Sequence, residues 1–444
     1  MDTLTPQRRS SVDSLFAEDQ QAGIFRFSPK VYCDPDLFRD EQKRIFDRSW
    51  LYAGHESELE KPGDFLTRRV GGRPLLLVRG ADDRIRLFHN ACRHRGAMVC
   101  RERGGNAKHF TCFYHYWTYG NDGKLSGVPD VDSYGPTFNQ SEMGLYPARF
   151  ESYRGWIFVC FNRNSMGLVE YLAEARDLLD MILDQDEDGS VILPGAHEYS
   201  MRANWKMLME NTVDIYHLNS THSRFMRDYL PNVLGLKTPD PRTANDGAMS
   251  PRGLGNGHAV IEYKKFSGVA DEAKRKAWQA KFGVERANRM LDYTRTLVLY
   301  PNTLFIEQRR VIRTVFPTAP DQSEITGFPL MPAVDDPVIR KQRLDIYLSF
   351  LGPAGFATPD DNEVMELIQK NCAGLPEDAM IDCSRGMTSA HPKPQDEAHM
   401  RAFWRQLRET MGAALCRLPP GTPPFAPRSR LSSMRKPNCS TIGS

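Results

Sequence analysis

Two cysteine–histidine pairs constrain this chain more than any other feature. "NACRHRGAMVC" supplies Cys92 and His94 with one residue between them, and "FTCFYHYWTYG" supplies Cys112 and His115 with two between them. Seventeen residues separate the pairs. Four N and S donors on two loops suit a tetrahedral zinc site or a two-iron cluster in which His replaces Cys on one iron. Zinc sites favour a C-x2-4-C pair beside a His pair. Each pair here is mixed, so one Cys from each loop can hold one iron and one His from each loop the other. With four ligand positions filled, the nearby His89, Cys100, His109 and Cys160 read as core or surface residues.

The surrounding pattern suits such a centre. Between about residues 52 and 162, short β runs ("FLTRRV", "PLLLVRG", "RIRLFHNA", "RGWIFVCF") alternate with Gly-Gly, Asp-Asp and Asn-Asp-Gly turns, which predicts a small antiparallel β domain. Nine cysteines in 444 residues, an odd number without a dense framework, point to a reducing compartment where clustered Cys are ligands. No secretory h-region opens the chain, and no apolar run reaches the roughly 18 to 20 residues of a membrane span. The expectation is a cytoplasmic protein with no membrane partner, and a net charge of +2 gives no footprint for nucleic acid.

Residues 1 to 25 read as a mobile polar arm. Asp34 caps a Pro-started helix whose Phe38, Ile45 and Phe46 recur at helical spacing. "GLVEYLAEARDLLDMIL" places Leu172, Leu178, Leu179 and Ile182 on one helical face as a connection. Beyond it, strand-like "RTLVLYP" and "TLFIEQRRVIRTVFP" alternate with helical segments such as "DNEVMELIQKN", the pattern of an α+β domain with helices packed on an antiparallel sheet. The expected division is 1–51 for arm and helix, 52–165 for the β domain, 166–416 for the α+β domain and 417–444 for an extended or disordered tail.

A second constellation lies in "NWKMLMENTVDIYHLNSTH". Read as helix from Asn204 to Tyr216, it puts Asp214 and His217 at i and i+3 on one face. His222, five residues on, would face about 140° away on an unbroken helix, so the helix must end or loosen within "LNST". Two imidazoles and one carboxylate form the facial triad of non-haem Fe(II) oxygenases. The same residues also fit a plain pair of hydrogen-bonded histidines at a helix end.

Taken with "WTYGNDGKLSGVP" after the second pair, the C-x-H and C-x-x-H loops resemble the Rieske [2Fe-2S] motif of aromatic-ring-hydroxylating oxygenase large subunits, and the likeness runs from about residue 30 to 415. One departure is Tyr116, where that family usually has a small residue. The resemblance implies a cluster on Cys92, His94, Cys112 and His115, and one mononuclear Fe(II) held by His217, His222 and a distant carboxylate. It implies that Asp214 is an electron bridge rather than a ligand. "GFATPDDNEVMELIQ" resembles the family's acidic pair, with Gln eight residues after the ligand, which selects Asp361 over Asp360. Asn211 and Tyr216 become candidates to orient the iron histidines.

A catalytic domain of roughly 250 residues has a radius of gyration of about 18 Å, long for electron transfer within one chain. The resembling family answers with a head-to-tail trimer in which His115 of one chain faces Asp214 of the next. Many members add a small β subunit and draw electrons from NAD(P)H through a reductase or ferredoxin.

"LDIYLSFLGPAGFATPDD" and "MRAFWRQLRETMG" look most like the aromatic-carboxylate group acting on benzoate, salicylate, anthranilate or terephthalate. A carboxylate calls for an Arg fork. On a continuous strand, Arg309 and Arg313 of "IEQRRVIRTVFP" would share one face, with Arg310 on the other. Ring mono- or dihydroxylation is thus the expected activity. An O- or N-dealkylating oxygenase and a non-enzymatic electron-transfer or zinc scaffold are the alternatives.

Overall fold

The computed structural model describes residues 12–233, 235, 249–265 and 272–412. The expected tail at 417–444, and residues 1–11 of the arm, lie outside the described residues. The fold is α+β: a small antiparallel β domain bearing the Cys/His loops, and a larger part with helices on an antiparallel sheet.

In the β domain, the strands Ile85–His89, Arg73–Arg79, Asp64–Val70 and Gly104–Asn106 form one sheet in that order. Leu75, Leu76, Leu77 and Val78 are all fully buried, so this strand shows no polar alternation. Its two faces serve different cores. Leu75 and Leu77 join the main core with Ile45 and Trp205, whereas Leu76 and Val78 pack with Phe88, Cys92 and Cys112 under the loops. A second sheet, Leu125–Gly127, Thr118–Gly120 and His109–Thr111, carries the Cys112 loop between its last two strands.

The larger sheet has eight strands, running Ser190–Ile192, Gln322–Pro332, Val311–Ala319, Thr303–Ile306, Tyr293–Leu299, Ala259–Lys264 and Met249–Gly253, with His197–Met201 also pairing Gln322–Pro332. Helix Ala398–Gly412 lays Met400, Phe403, Trp404, Leu407 and Met411 into the main core at i, i+3, i+4, i+7 spacing.

The expected N-terminal arm is corrected in part. Residues Phe16–Asp19 and Ile24–Phe27 form a hairpin that pairs with Ile381–Asp382. Phe16 and Phe27 are held by contact with Trp404, at ring separations of 6.0 and 4.3 Å. Asp34 does cap the helix Pro35–Glu41, accepting the N–H groups of Asp36 and Leu37 at 2.7 and 3.1 Å. The connecting helix is broken in two, Leu168–Leu172 and Ala175–Leu183, at Ala173, whose φ is +45°.

Candidate metal centres

The two Cys/His loops are built alike. The Gly96 N–H donates to the Cys92 carbonyl at 2.8 Å, and the Tyr116 N–H donates to the Cys112 carbonyl at 2.9 Å. Each fourth residue is left-handed, with φ of +73° at Gly96 and +58° at Tyr116. The turns bring Cys92 and Cys112, both buried, to face one another, and set the His94 and His115 rings 4.5 Å apart. His94 stacks on Trp117 at 5.1 Å and 9°. Its Nδ1 is buried without a partner, the state of a ring nitrogen meant for a metal. Two thiols on one side and two imidazoles on the other match a two-iron cluster with one Cys₂ and one His₂ iron. Tyr116 does not disturb the packing: its ring is 68% exposed and points away from the cradle.

The second centre draws on two remote segments. Helix Trp205–Asn211 is capped by the Asn204 side chain and anchored by Lys206, whose Nζ lies 2.6 Å from Glu41 with both groups fully buried. The expected helix to Tyr216 stops early. Thr212 Oγ1 donates back to the Leu208 carbonyl at 2.8 Å, and Asp214 accepts the Tyr216 N–H at 2.7 Å, a local turn that competes with helix. "LNST" is therefore not the break; Leu218–Thr221 is a short helix with His217 before it and His222 after it. The third residue comes from helix Ala357–Cys372, whose buried face includes Thr358, Asp361, Met365, Gln369 and Cys372.

His217, His222 and Asp361 each offer one ligand atom, all within 4.8 Å of one another. The two Nε2 atoms are 3.3 Å apart, and Asp361 Oδ1 lies 3.4 and 3.1 Å from them. Asp360 points elsewhere, its Oδ2 lying 3.4 Å from His222 Nδ1. Asp214 Oδ2 is 3.3 Å from His217 Nδ1, but poorly aligned for a hydrogen bond. Both imidazoles thus have a carboxylate behind them, the arrangement that fixes ring orientation in metal sites. Burial disfavours charge on His217, yet Asp214 and Asp361 push its pKa up to about 9. Burial would raise Asp361, but hydrogen bonds from both imidazoles hold it well below the usual carboxylate range. A proton is held where a divalent cation would replace it. Two imidazole nitrogens and one carboxylate oxygen in a buried recess are the donor set of Fe(II) with open positions.

The other expected residues divide. Asn211 Nδ2 donates to Asp361 Oδ1 at 3.1 Å, so it orients the carboxylate and not a histidine. Tyr216 is corrected: its ring is 60% exposed beneath Arg385, at 4.1 Å. The single strand through Arg309 and Arg313 is also corrected. Strand Thr303–Ile306 ends in a 3-10 turn, Glu307–Arg309, and Arg310 takes φ of +53° before strand Val311–Ala319, so the two arginines share no strand face. Arg313 is buried and donates to Thr358 Oγ1 at 2.6 Å, in the first turn of the helix bearing Asp361. Arg310 pairs with Asp186. Arg309 lies over the Phe350 ring at 4.7 Å and has no ion-pair partner among the described residues. Phe350 in turn is 5.9 Å from the His222 ring and 4.5 Å from Phe225, an aromatic wall beside the centre.

Sequence reasoning missed the support given by Asp360 and by Gln369. Gln369 Oε1 accepts the Asn204 N–H at 2.9 Å. The i+4, i+8 spacing from Asp361 was a signal that Gln369 shares its buried stripe.

A family model described as "Rieske [2Fe-2S] domain" matches residues 49–145, and one described as "Ring hydroxylating alpha subunit (catalytic domain)" matches 193–413. Toluate 1,2-dioxygenase subunit alpha of Pseudomonas putida is 34% identical over 388 residues, 84% of each chain. The 2-halobenzoate 1,2-dioxygenase large subunit of Burkholderia cepacia is 30% identical, covering 88% of this chain and 86% of its own. The solved naphthalene 1,2-dioxygenase from Rhodococcus sp. superposes with a TM-score of 0.81 at 25% identity, over 92% of this chain and 99% of its own.

Proposed function

Since the chain belongs to the Rieske ring-hydroxylating oxygenase α-subunit family, we propose that its substrate is an aromatic carboxylate, bound with its acid group on Arg309. The protein is a terminal oxygenase component carrying one [2Fe-2S] Rieske cluster and one mononuclear iron. When bound, the cluster supplies single electrons and the iron activates dioxygen. Cys92, His94, Cys112 and His115 hold the cluster in this reading, and His217, His222 and Asp361 the iron. Residues 52–165 form the Rieske domain and 166–416 the catalytic one.

The observation that carries the substrate reading is Arg309, a cation with no ion-pair partner among the described residues, lying over the Phe350 ring that neighbours His222. Burial pulls the Arg309 pKa below its ordinary value, with Tyr263 opposing. Such a guanidinium is stabilised by an anionic partner and offers it a planar fork, while Phe350 and Phe225 supply the surface for a ring. Toluate and halobenzoate, named for two relatives, are acids of this kind.

Electrons come from NAD(P)H through a reductase or ferredoxin in the cytoplasm, and the working unit is a head-to-tail trimer, with or without a small β subunit. Phe113, Tyr114 and Tyr116, 55%, 52% and 68% exposed around His115, support a contact at that tip. Asp214, next to His217, is its receiving residue. No helix among the described residues is long and apolar enough to cross a membrane.

Product analysis under labelled dioxygen, with a surrogate reductase and a panel of aromatic acids and neutral arenes, tests the reading. Labelled hydroxyls in the products of acids are expected. Turnover of neutral arenes in preference to acids would overturn the carboxylate assignment.

A further inference from the structure

Tyr32 and Trp404 turn their polar hydrogens onto one buried carboxylate. Tyr32 Oη donates to Glu210 Oε2 at 2.6 Å, and Trp404 Nε1 donates to the other oxygen. Both rings are buried and meet edge to face, 5.8 Å apart. Glu210 forms no ion pair among the described residues, and burial pushes its pKa up to about 7, so it takes a proton more readily than an ordinary carboxylate. Trp205 also donates to a buried carboxylate, Glu41, at 2.9 Å, but there Lys206 Nζ already neutralises the acid at 2.6 Å. The Tyr32 group adjoins the mononuclear site on two sides. Glu210 is one turn before Asp214, whose Oδ2 is 3.3 Å from His217 Nδ1. The Tyr32 carbonyl accepts from Gln369 Nε2 at 3.2 Å, and Gln369 shares a helix with Asp361 at a distance of roughly 12 Å along its axis.

We propose that Tyr32 is a one-electron outlet for the mononuclear site, with Glu210 as its proton acceptor, and that it discharges oxidant left there when no aromatic substrate is consumed. The inference rests on iron being held by His217, His222 and Asp361. The co-reactant is hydrogen peroxide, the two-electron product of dioxygen when substrate takes none. Tyr32 supplies one electron to this oxidant, and its phenolic proton moves to Glu210 Oε2 along the existing hydrogen bond. The products are a neutral tyrosyl radical and a neutral carboxylic acid, with the oxidant reduced by one electron. The step removes a buried charge instead of creating one, so burial favours it. Losing the electron alone would leave a phenol cation in the same apolar surroundings. One electron from a soluble thiolate, with the proton returned by Glu210, restores Tyr32 and leaves a thiyl radical in solution. The groups spared are the iron-holding imidazoles and the thioethers of Met207 and Met209, which lie on the same helix as Glu210.

The test is freeze-quench EPR of the full-length, iron-loaded protein mixed with hydrogen peroxide without substrate. A tyrosyl radical is expected in the parent, with a splitting that collapses when ring-deuterated tyrosine is incorporated. Tyr32→Phe is expected to lose it, and Glu210→Gln to form it roughly 100-fold more slowly, as for the loss of a positioned base. A radical undiminished in Tyr32→Phe overturns the proposal. Iron analysis of His217→Ala keeps the two readings apart. Iron retained there overturns the ligand assignment and the outlet that rests on it; iron lost there, with no tyrosyl radical in the loaded parent, overturns the outlet alone. If Tyr32→Phe does not fold, peptide mass spectrometry of the peroxide-treated parent decides: oxidation is expected at Tyr32 and Trp404 ahead of Met207 and Met209, and the reverse order overturns the outlet.

Discussion

Gln369 Oε1 accepts the backbone N–H of Asn204 at 2.9 Å, tying the helix that bears Asp361 to the start of the segment that leads to His217. Gln369 Nε2 also donates to the Tyr32 carbonyl at 3.2 Å. The helix that carries Asp361 and the helix that precedes His217 are thus held in register by one amide. Gln369→Leu leaves the buried Asn204 N–H unpaired, at about 1–3 kcal/mol. The expected result is a lower unfolding midpoint and reduced mononuclear iron, with the visible spectrum of the cluster unchanged. Full iron occupancy in a destabilised variant would show that the amide supports the fold alone.

Asp361 and Asp360 separate by the same measurement. Asp361 is buried between both Nε2 atoms, whereas the Asp360 side chain is 45% exposed and reaches only His222 Nδ1. Asp361→Ala is expected to abolish mononuclear iron. Asp360→Asn is expected to weaken iron binding by roughly tenfold, as for an outer carboxylate behind a ligating histidine. Equal loss in both would mean that the two carboxylates share the metal.

These residues also show what a sequence can and cannot disclose. The grouping of Cys92, His94, Cys112 and His115 was legible because each pair sits in one tight turn, where spacing is geometry. His217 and His222 were legible as a pair, but the break that orients them was misplaced. Asp214 and Thr212 take local backbone partners there, and such competition leaves only a faint composition signal. Asp361 lies 139 residues after His222, and only its likeness to a family pattern singled it out. The N-terminal hairpin was missed because its partner strand, Ile381–Asp382, is more than 350 residues away and is two residues long. The shared strand face expected for Arg309 and Arg313 is absent because a 3-10 turn separates the two strands, and that turn does not interrupt the apolar pattern around it.

That turn makes the two arginines distinguishable by experiment. Arg309 has no ion-pair partner among the described residues, while Arg313 is committed to Thr358 and the Leu351 carbonyl. Losing a charged hydrogen bond costs about 1.5–3 kcal/mol, so Arg309→Gln is expected to raise KM for aromatic acids roughly 10- to 100-fold. Iron content and turnover of neutral arenes stay the same. Arg313→Gln is expected to lose mononuclear iron and stability together. An Arg309 variant with parental selectivity would remove the basis for the carboxylate assignment.

Glu210, one turn before Asp214, accepts from Tyr32 Oη at 2.6 Å and from Trp404 Nε1. Burial raises its pKa from 4.5 to about 7 despite those two bonds, with Glu397 and Asp214 adding to the rise. The folded protein therefore binds this proton more tightly than the unfolded chain. Its contribution to stability falls as pH rises from about 4.5 to about 7 and is constant above that. The slope is bounded by about 1.4 kcal/mol per pH unit. Urea titrations of the parent and of Glu210→Gln across this window are expected to show the variant gaining stability relative to the parent as pH rises. Parallel curves would place the proton elsewhere.

Tyr116 occupies the position that Gly96 fills in the sister loop, at φ of +58° against +73°. Left-handed backbone costs a non-glycine residue roughly 1–2 kcal/mol, and glycine gives back about 0.5–1 kcal/mol of that through the freedom it gains when unfolded. The exposed ring makes no packing contribution to the cradle. Tyr116→Gly is thus expected to keep the cluster and to raise the unfolding free energy by up to about 1 kcal/mol, measured by urea denaturation of the loaded protein. Tyrosine held there against its backbone preference fits a surface role, and the matching outcome is a slower single-turnover oxidation of the cluster by dioxygen and substrate. Cluster loss in Tyr116→Gly would instead place the ring in the cradle.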